Sequence, residues 1–132
     1  MMIKGSCLCK AVTYTISEPL GPISHCHCKT CQKSHAAAFG TVARVPSVGF
    51  KIESGREMLT AYKSSPHKTR YFCSQCGTHI YADFDGQDQY SIRLGTLDND
   101  PHQKPIRHIF VSEKAPWYDI EDKLEQFDQW PE

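Results

Sequence analysis

Apolar and polar residues alternate along most of this chain in short runs, and the alternation predicts strands. Residues 10–16 (KAVTYTI) alternate and are rich in β-branched and aromatic side chains. Residues 38–45 (AFGTVARV) behave the same way and stop at Pro46. Further short strands are expected over 50–53, 59–62, 68–73, 78–84, 90–94 and 106–111. Gly55, Ser64-Ser65-Pro66, Asp85-Gly86 and the loops at 18–22 and 97–101 punctuate them. Residues 29–35 fit a short helical turn. The tail carries Trp117, Leu124, Phe127 and Trp130, which suit an anchor on the body with a short helix over 121–127. Short strands with frequent turns argue a mostly β fold, not βαβ units. No repeat or linker is visible, so one domain over 1–132 is expected, with a core of about 4–119 and a packed tail of 120–132.

Composition narrows the function classes. Lys plus Arg is 15 and Asp plus Glu is 15, a formal net charge of zero. That argues against nucleic acid or an anionic membrane as partner. The run Ala36-Ala37-Ala38-Phe39 is far too short to span a bilayer. No apolar run follows Met1-Met2-Ile3-Lys4, so no secretory signal is expected and the cytoplasm is the expected location. Oligomeric state has no sequence signal.

Seven cysteines change the picture most. Seven is odd for a disulfide framework, and close C-x-C pairs make poor disulfide partners. In a reducing compartment, clustered cysteines read as metal ligands. The densest stretch, Ser24-His25-Cys26-His27-Cys28-Lys29-Thr30-Cys31, is flanked by Cys7-x-Cys9 and Cys73-x-x-Cys76. Four thiolates close a tetrahedral zinc, and three leave a position open. Cys7, Cys9, Cys73 and Cys76 are the expected structural set. Spacing also permits Cys26 and Cys28 to pair with Cys73 and Cys76. Gly77 after the second pair would supply the positive φ of a zinc knuckle.

Cys26, Cys28 and Cys31 would then hold a second zinc. Three thiolates push electron density onto the metal, so it is a weaker activator of water than a three-histidine zinc. It still deprotonates an incoming thiol. The favoured chemistry is addition of a thiol to a carbonyl, or its reversal. His35, four residues after Cys31, could instead close this site as fourth ligand. His25 and His27 are too near the ligands in sequence to turn back onto the same metal. His67, His79, His102 and His108 are scattered, with His79 placed to support the knuckle. Lys29, Lys33, Arg44, Arg70, Arg93 and Arg107 could include an anion clamp.

The run Gly5-Ser-Cys7-Leu-Cys9, then His25-Cys-His-Cys28-Lys-Thr-Cys31, then Phe72-Cys-Ser-Gln-Cys76-Gly-Thr78, resembles the glutathione-dependent formaldehyde-activating enzyme family, which also includes centromere protein V. Gly95-Thr-Leu-Asp98 and Lys114-Ala-Pro-Trp117 look like its C-terminal signature, so the likeness runs from about Lys4 to Trp130. The resemblance implies a zinc-bound β-tent of small sheets and two zinc ions. It implies a structural zinc at the positions matching Cys7, Cys9, Cys73 and Cys76, and a thiol-binding zinc at those matching Cys26, Cys28 and Cys31. It further implies a carbon–sulfur lyase that joins glutathione and formaldehyde. A non-catalytic zinc module for protein contacts and a thiol or metal sensor are the competing readings.

Overall fold

The computed structural model describes residues 2–131; Met1 and Glu132 lie outside the described residues. The chain runs β1 (Ile3–Ser6), β2 (Thr13–Ile16), β3 (Ser24–Cys26), α1 (Lys29–His35), β4 (Gly40–Pro46), β5 (Phe50–Ser54), β6 (Leu59–Ser65), β7 (Lys68–Cys73), β8 (His79–Phe84), β9 (Gln89–Arg93), β10 (Arg107–Ile109) and β11 (Glu125–Gln126). Two sheets result. The small one has the order β1-β2-β5, and the large one β11-β10-β3-β4-β9-β8-β7-β6. The fold is mostly β, as alternation predicts.

The main core lies between the sheets. Ile3, Tyr14, Ile16 and Ile52 come from the small sheet, and Ala43, Val45, Tyr81 and Ile92 from the large one. Period-2 geometry sends Ala43 and Ile92, which pair directly, to this inner side. Their neighbours Val42, Arg44, Ser91 and Arg93 therefore face the other way, and that second face carries the chemistry described below. Gly5 on β1 lets Tyr14 close in, since a Cβ there would sit 2.1 Å from the Tyr14 ring. The Tyr14 hydroxyl reaches Thr96 Oγ1 at 2.6 Å, and burial pushes its pKa up to about 12.

Three local expectations differ from the structure. Residues 10–12 precede β2 as a turn: Lys10 takes a left-handed φ of 68° and its N–H bonds Cys7 O. β1 and β3 were not predicted, because Ser24-His25-Cys26 has too few apolar residues to announce a strand. The tail makes no helix. Asp122 accepts the N–H of Leu124 in a tight turn, and Phe127 N–H bonds His108 O, so the donors a helix would need go elsewhere. β11 instead lies parallel to β10, which lies parallel to β3. Phe127 packs beside Cys26 and Ile109, while Trp117 stays 71% exposed.

Candidate metal centre

Cys7, Cys9, Cys73 and Cys76 come together, with their sulfurs all within 4.8 Å of one another. The first pair sits in the turn before β2, where Val12 N–H donates to Cys7 Sγ at 3.3 Å. The second sits at the end of β7, where Gly77 takes a φ of 78° and its N–H closes on Cys73 O. Of the two pairings that spacing permits, this is the one formed. Cys7 and Cys9 sulfurs lie 3.6 Å apart, and Cys9 and Cys73 sulfurs 3.8 Å. Four sulfurs about 2.3 Å from a zinc have edges of roughly 3.8 Å, so the donor set and its size fit that ion. Thr78 Oγ1 lies 3.2 Å from Cys76 Sγ and accepts from Leu8 N–H, tying the two turns together.

Cys26, Cys28 and Cys31 form the second group, again within 4.8 Å. Cys26 ends β3. Cys28 caps α1, accepting the N–H of Cys31 at 3.3 Å, and Cys31 is buried in the first turn. The sulfurs of Cys26 and Cys28 are 3.5 Å apart, again close to a tetrahedral edge. Their shared hydrogen bond, with Cys31 next, holds the Cys28 thiol far below the ordinary thiol range and pushes Cys26 far above it. Among the described residues, no His, Asp or Glu joins these three sulfurs within that distance.

The histidines separate by strand geometry. His25 and His27 project opposite to Cys26. His25 Nδ1 meets Thr41 Oγ1 at 2.9 Å, and His27 Nε2 meets His108 Nδ1 at 2.8 Å. The His35 ring packs against Gly40 and edge-on to His79, with ring centroids 5.4 Å apart. Burial, with Arg93 next, lowers His35 to about 4 and His79 to about 3. His67 and His102 are exposed.

A cavity of about 750 Å³ opens beside the cysteine trio. Lys29, Arg44, Lys68, Arg93 and Arg107 line it, with Glu113 its one carboxylate among the described residues. Burial lowers Lys68 to about 8. Of the cations considered from sequence, Lys33 and Arg70 border a neighbouring cavity of about 420 Å³ instead. Arg70 donates to Thr30, Ser34 and Ser64, which ties β7 to α1 under the trio. Lys68 and the buried His108 carry no sequence signal that sets them apart. Only the register of the strands brings Lys68 to the cavity, and it sends His108 to the opposite face, with His25 and His27.

Two sheets that gather a four-cysteine and a three-cysteine group, each of which could hold a metal ion, with the trio beside a cation-lined cavity, define a class of small β proteins with clustered cysteines. The family model for glutathione-dependent formaldehyde-activating enzymes matches residues 2–113, and the chain belongs to that family. An uncharacterised lyase of Schizosaccharomyces pombe is 32% identical over 130 residues, covering 94% of this chain and 89% of the relative. A Halomonas elongata protein, provisionally named a glutathione-dependent formaldehyde-activating enzyme, is 26% identical over 93% of this chain and 83% of its own length. A Rhodobacter sphaeroides crystal structure shares the fold, with a TM-score of 0.58 at 23% identity, over 74% of this chain and 89% of that one. No helix among the described residues is long and apolar enough to cross a membrane.

Proposed function

We propose that this protein is a zinc-dependent carbon–sulfur lyase that interconverts a low-molecular-weight thiol of the glutathione type, a small aldehyde such as formaldehyde, and their S-hydroxymethyl adduct. One observation carries the reading: three clustered sulfurs, with no fourth side-chain ligand beside them among the described residues, border a substrate-sized cavity. Family membership and the lyase name of the fission-yeast relative support it.

Cys7, Cys9, Cys73 and Cys76 would hold one zinc as a closed cross-link between the turn before β2 and the end of β7. Cys26, Cys28 and Cys31 would hold the other, and zinc held there would favour the thiolate form of a substrate thiol. The chain does the rest. Arg70 fixes α1, and with it Cys28 and Cys31, through Thr30 and Ser34. In the synthetic direction the thiol S–H proton passes to solvent, the sulfur bonds the aldehyde carbon, the C=O π pair moves to oxygen, and that oxygen takes up one proton, so thiol and aldehyde give the adduct with no net proton change. Lys68 lines the same cavity, and an ammonium held at about 8 can deliver that proton near neutral pH. The reverse step breaks the C–S bond and returns the proton.

Exchange NMR on glutathione with isotopically labelled formaldehyde tests the reading, because the adduct also forms unaided. The protein should speed exchange above that background, and Cys28→Ser should abolish the gain. Equal exchange with and without protein, or full activity in Cys28→Ser, would overturn the mechanism.

A further inference from the structure

Register sorts charge onto one face of the large sheet. Cys26 pairs with Ile109, and Ser24 pairs with both Arg107 and Val42. Val42 pairs in turn with Arg93, and Arg44 with Ser91. Ser91 pairs with Ala82, Ala82 with Arg70, and Phe84 with Lys68. Directly paired residues project to the same side. Lys68, Arg70, Arg93, Arg44 and Arg107 therefore share the face of Cys26, and the residues registered with them are apolar or hydroxyl-bearing except Glu125, opposite Arg107 at the β11 edge. The whole chain balances 15 basic against 15 acidic residues, so this is local sorting and not overall excess. None of the five enters an ion pair among the described residues.

Arg93 stands deepest, at 2% exposure. Its Nη1 donates to Ser91 Oγ at 3.1 Å, while Nε and Nη2 have no partner. Burial lowers it to about 10, against the pull of Cys31 and the other sulfurs. None of those sulfurs accepts a hydrogen bond from it. A buried guanidinium with open donors is costly unless an anion meets it, and its planar fork matches a carboxylate. Arg93 borders the cavity that the cysteine trio also borders.

We propose that Arg93 is the receptor for a carboxylate of the thiol ligand, so that the site selects acidic thiols over neutral ones. This rests on the thiol-binding reading of the cysteine trio. Arg44 and Arg107 line the same cavity and can meet a second carboxylate. Arg44 is steadied by the Phe84 ring, 4.5 Å away, and Arg107 by Ser24 Oγ at 2.8 Å.

Calorimetric titration of the metal-loaded protein with glutathione and with its diethyl ester tests the proposal. Wild type should bind the acid at least about tenfold more tightly, the scale of one hydrogen bond to a charged group. Arg93→Gln should bring the two thiols to within about twofold, and Arg93→Lys should restore part of the preference. A purely structural Arg93 would change both affinities together and leave their ratio alone. Equal binding of acid and ester by wild type, or an unchanged ratio in folded Arg93→Gln, overturns the proposal. Should Arg93→Gln fail to fold, the wild-type ratio and its decline with salt decide. Acid-selective binding without faster adduct exchange keeps this inference and removes the lyase reading. Faster exchange with acid and ester alike, bound equally, does the reverse. Failure of glutathione itself to bind overturns the inference, whereas failure of the ester alone supports it.

Discussion

His27 and His108 bury their rings completely and meet at 2.8 Å, Nε2 to Nδ1. His108 Nε2 then reaches the Asp122 carboxylate at 3.0 Å. Neutral imidazoles satisfy this chain in one direction: His108 donates to Asp122 and accepts from His27 Nε2–H. Burial, with His108 next, lowers His27 to about 4, which suits the neutral form. Two segments far apart in sequence, the cysteine strand and the tail, are thus joined through side chains as well as through β10.

Replacing His108 by Leu leaves the His27 Nε2–H buried without an acceptor. The expected loss is about 1–3 kcal/mol, read as a lower urea midpoint. Asp122→Ala should cost less, because the partly exposed carboxylate can be replaced by water. An unchanged midpoint in His108→Leu would show that the contact adds nothing net.

Stability should fall with acid in a window to which His35 and His79 contribute alongside His27. Their folded values of about 4 and about 3 lie below the ordinary 6.5. Below pH 6.5 the unfolded chain therefore binds more protons than the folded one. Their contribution is complete above pH 6.5 and is lost as pH drops toward 4 and then 3. Protonation of thiols also loosens metal in acid, so the informative quantity is the difference between proteins. His79→Gln should flatten the curve of melting temperature between pH 7 and 4.5, and a parallel curve would refute the assignment.

Zinc analysis of the purified protein should find two equivalents, one for each cysteine group. Cys28→Ser should drop the content to about one while the far-ultraviolet circular dichroism stays native. Cys73→Ser should lose the fold itself, because that sulfur, fully buried, helps join segments distant in sequence. Chelation should release the trio's metal first. Retention of both ions in Cys28→Ser would place the second zinc elsewhere.

Gly5→Ala is expected to destabilise despite its small size. Its Cβ would fall 2.1 Å from the Tyr14 ring, whose hydroxyl is held by Thr96. Forcing the ring aside should cost about 1–3 kcal/mol, seen as a lower melting temperature. Gly77→Ala tests a different cause. No atom stands within 4 Å of its Cβ, so any loss there comes from the positive φ alone.

Strands such as β7 are legible in the sequence nearly to the residue, because alternation and turn residues are local signals. The division of seven cysteines into four and three is legible too, but spacing leaves open which pair meets Cys73 and Cys76, and the fold brings Cys7 and Cys9 there. β3 is not: its strand character comes from β4 and β10, which lie outside its own sequence window. The tail misleads because Leu124 and Phe127 are spaced like a helix face, yet their backbone donors are taken by Asp122 and His108. Arg93 reads as one surface charge among fifteen basic residues until register sets it beside the sulfurs.

The parallel seating of β3 against β10 has a consequence for synthesis. All seven cysteines are synthesised by residue 76, while the strand that braces Cys26 is not made until residues 107–109. For that interval the nascent chain carries every sulfur and lacks the frame that sorts them. Oxidation or capture of the wrong metal is most damaging then, and the yield of correctly loaded protein should depend on how quickly the last third of the chain is translated.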